Sequence, residues 1–155
     1  MALRNLPRPL SENKVNVLAV SARIQQHRTL SNIFAHSDWM LFGTSSLSET
    51  RALLEEQRIS VIICDRELPD GNWRDLLEDL SVRHHAPHLV VTCPDANDQL
   101  WAEVLNRGGY DVLAQPFDSM EVFRVVSLAW RHWRDSLRKE PTPASLQTAA
   151  ASYYA

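Results

Sequence analysis

Short runs of consecutive apolar residues alternate along this chain with longer stretches in which apolar positions recur every three or four residues. Val15, Val17, Leu18, Ala19 and Val20 form the first run, which stops at Ser21-Ala22; Leu30, Ile33 and Phe34 then repeat at helical spacing. Trp39 to Thr44 makes a second, less regular strand, and Ser46 or Ser48 is placed to cap a helix carrying Leu53 and Leu54. Val61 to Asp65 is the third strand. Trp73, Leu76, Leu77 and Leu80 mark a third helix, stopped ahead of Pro87 because the residue before a proline resists the helical region. Leu89 to Thr92 is the fourth strand. Leu100, Trp101, Val104 and Leu105 trace a fourth helix with Gly108-Gly109 as its C-cap, and Val112-Leu113-Ala114 is a short fifth strand. Val122, Val125, Val126, Ala129, Trp130 and Trp133 stripe one face of a long last helix.

Five strands alternating with five helices through short turns require a parallel sheet with right-handed crossovers and helices on both faces. The expectation is an α/β fold: a flavodoxin-like (βα)5 doubly wound parallel sheet in strand order 2-1-3-4-5. Residues 1–13 offer no apolar period and are expected to form a flexible arm, residues 14–138 the domain, and residues 139–155 a disordered tail. A length of 155 residues suits one such domain. The net charge of −3 is too small to name a partner. Two cysteines without zinc spacing, no secretory signal and no bilayer-length apolar run point to a reduced, cytoplasmic, unanchored protein.

The run Val61-Ile62-Ile63-Cys64 leads into Asp65 and a Pro69-Asp70-Gly71 turn, the pattern of a strand buried on both faces that presents a carboxylate at its tip. In an open parallel sheet, the rim of strand C-termini is where ligands bind. Here that rim gathers Ser21, Ala22, Thr44, Asp65, Thr92 and Gln115-Pro116. Asp65-Arg66-Glu67-Leu68-Pro69-Asp70-Gly71, Val91-Thr92 and Gln115-Pro116-Phe117 resemble the receiver domain of two-component response regulators, over roughly residues 15 to 135.

The resemblance implies that Asp65 is the phosphoacceptor position for a histidine kinase, that Thr92 and Gln115 are phosphate-contact positions, and that Pro116 is the candidate for a cis peptide bond. It also implies a magnesium ion, held by the acceptor and by two acids after the first strand, that neutralises charge on the transferring phosphoryl group. In this chain the acidic pair is Ser21-Ala22, and the family's lysine is Gln115, which keeps a donor and loses the charge. Magnesium should therefore bind only weakly through Asp65, with Glu67 or Asp95 as replacement ligands. Val112 stands where the family's switch aromatic is expected, and Tyr110 lies one pleat period upstream. By resemblance, the face of the fourth helix, fifth strand and fifth helix docks partners or a second copy, through Trp101, Arg107, Tyr110 and Arg124.

Without a metal, Asp65 needs another counter-charge, and Arg23 or Arg66 is near enough in sequence to supply it as an ion pair. His84, His85 and His88 precede the fourth strand at the opposite rim, lack ligand spacing, and read as a solvated helix end. Cys64 is expected to be a small buried hydrophobe rather than half of a redox pair with Cys93. Arg124, Arg131, Arg134, Arg138 and Lys139, with Trp130 and Trp133, combine charge and aromatics as nucleic-acid surfaces do. Cations also belong near a helix C-terminus, and these tryptophans fall on the apolar stripe.

The expected function is a stand-alone receiver in two-component (phosphorelay) signal transduction. It acts by protein contact rather than catalysis, with a histidine kinase or other signalling protein as partner and neither membrane nor nucleic acid. A conventional magnesium-dependent phosphoacceptor at Asp65 is the alternative. An unrelated flavodoxin-like enzyme is a third reading, with no Gly-rich phosphate loop and no nucleophile-base pair in its favour.

Overall fold

In chain order the elements are β1 (Asn16–Val20), α1 (Ile24–Phe34), β2 (Met40–Thr44), α2 (Leu47–Glu56), β3 (Val61–Asp65), β4 (Glu67–Leu68), β5 (Gly71–Asn72), α3 (Trp73–Ser81), β6 (His88–Cys93), α4 (Asp98–Asn106), β7 (Asp111–Ala114) and α5 (Ser119–Lys139). The computed structural model describes residues 14–139. The arm and tail expected for residues 1–13 and 140–155 lie outside the described residues, and Lys139, assigned to the tail from sequence, closes α5. Five strands pair in parallel in the order β2-β1-β3-β6-β7, the expected 2-1-3-4-5 arrangement with β6 and β7 as fourth and fifth strands. No helix among the described residues is long and apolar enough to cross a membrane.

Alternation along the central strands divides the core in two. Leu18, Val20, Ile62, Cys64, Leu89 and Val91 face α2, α3 and α4, where Leu47, Trp73, Leu76, Leu100 and Val104 meet them. Val17, Ala19, Val61, Ile63, Val90 and Leu113 face α1 and α5, packing against Leu30, Phe34, Val122, Val126 and Ala129. Both faces of β1, β3 and β6 are thus covered. That is why these strands read as unbroken apolar runs rather than alternating ones.

The stretch after Asp65 is more structured than the turn expected from sequence. Glu67–Leu68 and Gly71–Asn72 pair as a small antiparallel ribbon, β4 with β5. Gly71 has φ +155°, and a Cβ there would meet Leu47 Cδ1 at 2.5 Å and Asp75 Oδ2 at 2.6 Å. Asp70 reaches across to the start of α2, where its carboxylate accepts from the amides of Leu47 (2.8 Å) and Ser48 (3.0 Å). These bonds to the open helix N-terminus hold the Asp70 carboxyl below the usual carboxylate range. Of the two serines considered as caps, Ser46 is the one used, accepting from Glu49 N at 3.2 Å. Asn72 and Asp75 form a reciprocal capping box that starts α3.

Two outcomes follow from this tethered ribbon. Gly71→Ala should cost about 1–3 kcal/mol in urea unfolding, because the backbone conformation and the space at Leu47 both exclude a side chain. Asp70→Ala should be less stable at neutral pH than the parent. Since the folded Asp70 pKa is depressed, its contribution is complete above the unfolded value near about pH 4 and is lost as pH falls through the folded value. Melting curves of the two proteins should therefore converge in acid.

Candidate functional site

Parallel register and strand phase bring the rim residues together. Asp65, the last residue of β3, lies opposite Thr92 of β6, and Ser21 and Gln115 follow the ends of β1 and β7 by one residue. The ladder continues past these ends, through Ser21 N to Thr44 O (3.0 Å), Arg66 N to Thr92 O (3.1 Å) and Gln115 N to Cys93 O (3.3 Å). Ser21, Asp65, Thr92 and Gln115 share the phase of Val17, Ile63, Val90 and Leu113, so all four lie on one face; the register puts Ser21, Asp65 and Thr92 in one row with Leu113, and Gln115 stands one pleat period further on.

At the centre of that row, the buried Ser21 donates its hydroxyl to Asp65 Oδ2 at 2.5 Å. Two contacts hold Ser21 in place. Arg23 N donates to Ser21 Oγ at 3.0 Å, and His27 Nε2–H donates to the Ser21 carbonyl at 2.7 Å. The His27 ring lies over Gly43 of β2, where a Cβ would stand 3.0 Å from Nδ1. Burial pushes the Asp65 carboxyl above the usual carboxylate range; the Ser21 hydroxyl, the Arg23 charge and His27 pull the other way without cancelling it. Gln26 also acts weakly on this carboxylate, although its buried Nε2 closes no well-formed hydrogen bond.

The ion pair expected between Asp65 and Arg23 or Arg66 is not formed. Among the described residues no cation lies within ion-pair distance of Asp65, and both arginines are exposed. The reason is local: a hydroxyl from the neighbouring strand reaches the carboxylate without the desolvation cost of a buried guanidinium.

Beside Asp65, Gln115 Nε2 donates to Thr92 Oγ1 at 3.1 Å, and the Gln115–Pro116 peptide is cis. A cleft of about 260 Å³ opens over these groups, lined by Arg23, Asp65, Arg66, Glu67, Thr92, Asp95 and Gln115 among others. Ala22 is exposed and offers only a methyl group. No set of three or more His, Cys, Asp or Glu among the described residues is arranged to hold a metal ion. That statement covers the cleft, where Glu67 and Asp95 accompany Asp65, and the three histidines around the start of β6. Ser21 as donor and His27 as its support are the functional neighbours that sequence reasoning missed. The one signal for them was a glycine inside a strand, Gly43, which marks a close approach.

The remaining candidates lie elsewhere. Cys64 and Cys93 are free thiols in the α2–α3–α4 core, and burial pushes the Cys64 thiol far up. Trp133 is buried and Trp130 is covered by the Arg134 guanidinium at 4.7 Å, so neither ring is open to stack on a base. Trp101 is 49% exposed on α4 and donates to Asp111 Oδ1 at 3.1 Å. Arg107 at the end of α4 and Arg124 on α5 are exposed. Tyr110 packs between His88 and His132, with ring centroids 5.1 and 5.6 Å away and its hydroxyl 2.8 Å from His132 Nδ1.

Comparison with known proteins agrees with this geometry. The family model for the response regulator receiver domain matches residues 11–127. Response regulator protein PilR of Pseudomonas aeruginosa is 29% identical over 87 residues, which are 56% of this chain and 19% of that protein; the chain thus matches only a small part of its relative's length. The signal receiver domain of an HD domain-containing protein from Pseudomonas fluorescens Pf-5 superposes with a TM-score of 0.73 at 18% identity, covering 81% of this chain and 93% of that one. Chemotaxis response regulator CheY4 of Vibrio cholerae gives 0.68 at 16% identity, covering 76% and 99% respectively. At these identities the structural matches establish the fold.

The hydrogen bond between Ser21 and Asp65 has a measurable signature. In Ser21→Ala the Asp65 carboxyl should titrate still higher, followed by carbon NMR of the carboxyl group, because the donor that stabilises the charged form is gone. In Asp65→Asn the melting temperature should rise by a few degrees at pH 7. The raised pKa means the charged form costs stability above the folded pKa, and this cost disappears below the unfolded value near about pH 4. Parent and variant should converge there.

Proposed function

The chain belongs to the response regulator receiver domain family, and on that premise we propose that it relays a two-component signal by protein contact, with Asp65 held in one hydrogen-bonded state rather than switched by phosphorylation. The observation that carries this reading is the Ser21 hydroxyl on Asp65 Oδ2. Phosphoryl transfer to a carboxylate depends on positive charge at the transferring group. Ser21 and Ala22 stand where the resemblance calls for metal-binding acids, and Gln115 where it calls for a lysine. The donor set around Asp65 does not fit a three-carboxylate magnesium site, so magnesium has at most a weak place here through Asp65 and Glu67.

The groups that would grip a phosphoryl oxygen are also engaged with each other. Thr92 Oγ1 already accepts from Gln115. Helix α4 is tied on two sides. Arg74 on α3 holds Glu103 through Nη2 (3.0 Å to Oε2) and a second, shorter contact to Oε1, and Trp101 holds Asp111. A site satisfied in this way favours one conformation.

For output, the face of α4, β7 and α5 presents Trp101 with Leu105, Arg107, Tyr110 and Arg124. Exposed tryptophan and arginine are the residue types that dominate binding energy at protein interfaces. A histidine kinase, another signalling protein or a second copy of this chain would dock there.

Intact mass after incubation with acetyl phosphate and magnesium tests the reading. The parent should gain no phosphoryl adduct, while the combined Ser21→Asp, Ala22→Asp and Gln115→Lys variant should gain one that Asp65→Ala removes. An adduct on the parent that Asp65→Ala abolishes would overturn the proposal and make Asp65 a conventional phosphoacceptor.

A further inference from the structure

The end of the domain opposite Asp65 carries a cation that nothing in the receiver reading uses. Trp133 of α5 is 4% exposed and donates through Nε1 to the His85 carbonyl at 3.1 Å. The Arg58 guanidinium stacks on the other part of this assembly, 5.4 Å from the Trp133 ring centroid. Arg58 is half-buried, its Nε is sealed from solvent with no hydrogen-bond partner, and no carboxylate among the described residues pairs with it. Burial holds its pKa below the usual guanidinium value with no acid to offset the shift. Cation-π contact uses the face of the guanidinium and leaves its edge donors unmatched.

Arg58 lines a groove of about 630 Å³ between the C-terminal ends of α2 and α3. Leu54, Ile59, Ala86 and Pro87 supply apolar lining, and Arg83 and His84 stand on the same wall. Two acids share the groove. Glu55 is already neutralised by Arg83 at 3.0 Å, and Glu56 is exposed to solvent. Among the described residues, Arg58 is the one guanidinium of this groove without a carboxylate partner, and it stands beside an apolar lining large enough for a small organic molecule.

We propose that this groove binds a small phosphate monoester, its oxyanion on the edge of Arg58 and its organic part against Leu54, Ile59 and Pro87. A phosphate fits better than a carboxylate because its three terminal oxygens can accept from Arg58, from His84 and from the donors of Arg83 that its bond to Glu55 leaves over. The site lies at the far end of the sheet from Asp65 and does not rest on the signalling role proposed above.

Calorimetric titration of the full chain with phenyl phosphate, at ionic strength fixed with sodium chloride, tests it. Saturable one-to-one binding is expected, about tenfold tighter than inorganic phosphate and tighter than benzoate. Arg58→Gln should weaken it about tenfold or more, the scale of one lost charge-assisted hydrogen bond. Asp65→Asn should leave it unchanged. Should Arg58→Gln fail to fold, Arg58→Lys keeps the charge, loses the fork and should still bind several-fold more weakly. Three results would overturn the proposal: no saturable heat, equal binding by the folded Arg58 variants, or loss on Arg66→Gln, which would place the anion in the Asp65 cleft. Tighter binding of benzoate would overturn the phosphate assignment.

Discussion

A carboxylate at the tip of a strand buried on both faces must be met by a donor or a cation, or surrender its charge. In this chain the donor is the Ser21 hydroxyl, and much of the rim is arranged to keep it there. Ser21 sits one residue past β1, in phase with Asp65 on the adjoining strand. Its oxygen is fixed by the Arg23 amide and its carbonyl by His27, whose ring needs the space that Gly43 leaves on β2. Three elements therefore converge on one hydrogen bond, and burial still leaves the Asp65 carboxyl above its ordinary range. The packing of the rim thus sets both the hydrogen-bond partner and the proton affinity of the carboxylate at the acceptor position.

At the same rim the N-termini of α2, α3 and α4 are capped by side chains, whereas α1 has no side-chain cap. Asp70 serves the first amides of α2, Asn72 and Asp75 serve α3, and Asn97 accepts from Leu100 N to start α4. Each cap removes donors that would otherwise be available to an anion at the mouth of the cleft. The β4–β5 ribbon is what brings Asp70 to α2, so the segment after the acceptor position is tied to a different helix from the one it leads into.

At the far end a different constraint rules. The stripe of α5 continues beyond the sheet and brings Trp133 over the loops that precede β3 and β6, where Arg58 and the His85 carbonyl close on it. Aromatic packing continues through α5, where Phe123 meets Phe34 and Trp39 with centroids 5.6 and 5.0 Å apart. The two ends of the sheet are thus held by unlike means, hydrogen bonds at the Asp65 rim and aromatic contacts at the base.

The order of strands and helices, their parallel pairing and the gathering of Ser21, Asp65, Thr92 and Gln115 on one rim follow from sequence alone. Periodicity reports which face each residue takes, and parallel topology fixes which ends meet. The departures at Ser21, Ala22 and Gln115 were equally visible, since they are matters of residue identity. Three-dimensional packing decided what answered the Asp65 charge. Arg66 is next to Asp65 in sequence and Arg23 is two residues past Ser21, yet both are exposed, whereas the Ser21 hydroxyl, 44 residues from Asp65, is within hydrogen-bond reach. The Asp70 cap on α2, the His27 support and the unpaired Arg58 escaped for the same reason. Each depends on the direction of a side chain across a loop or between layers, and no local period encodes that direction.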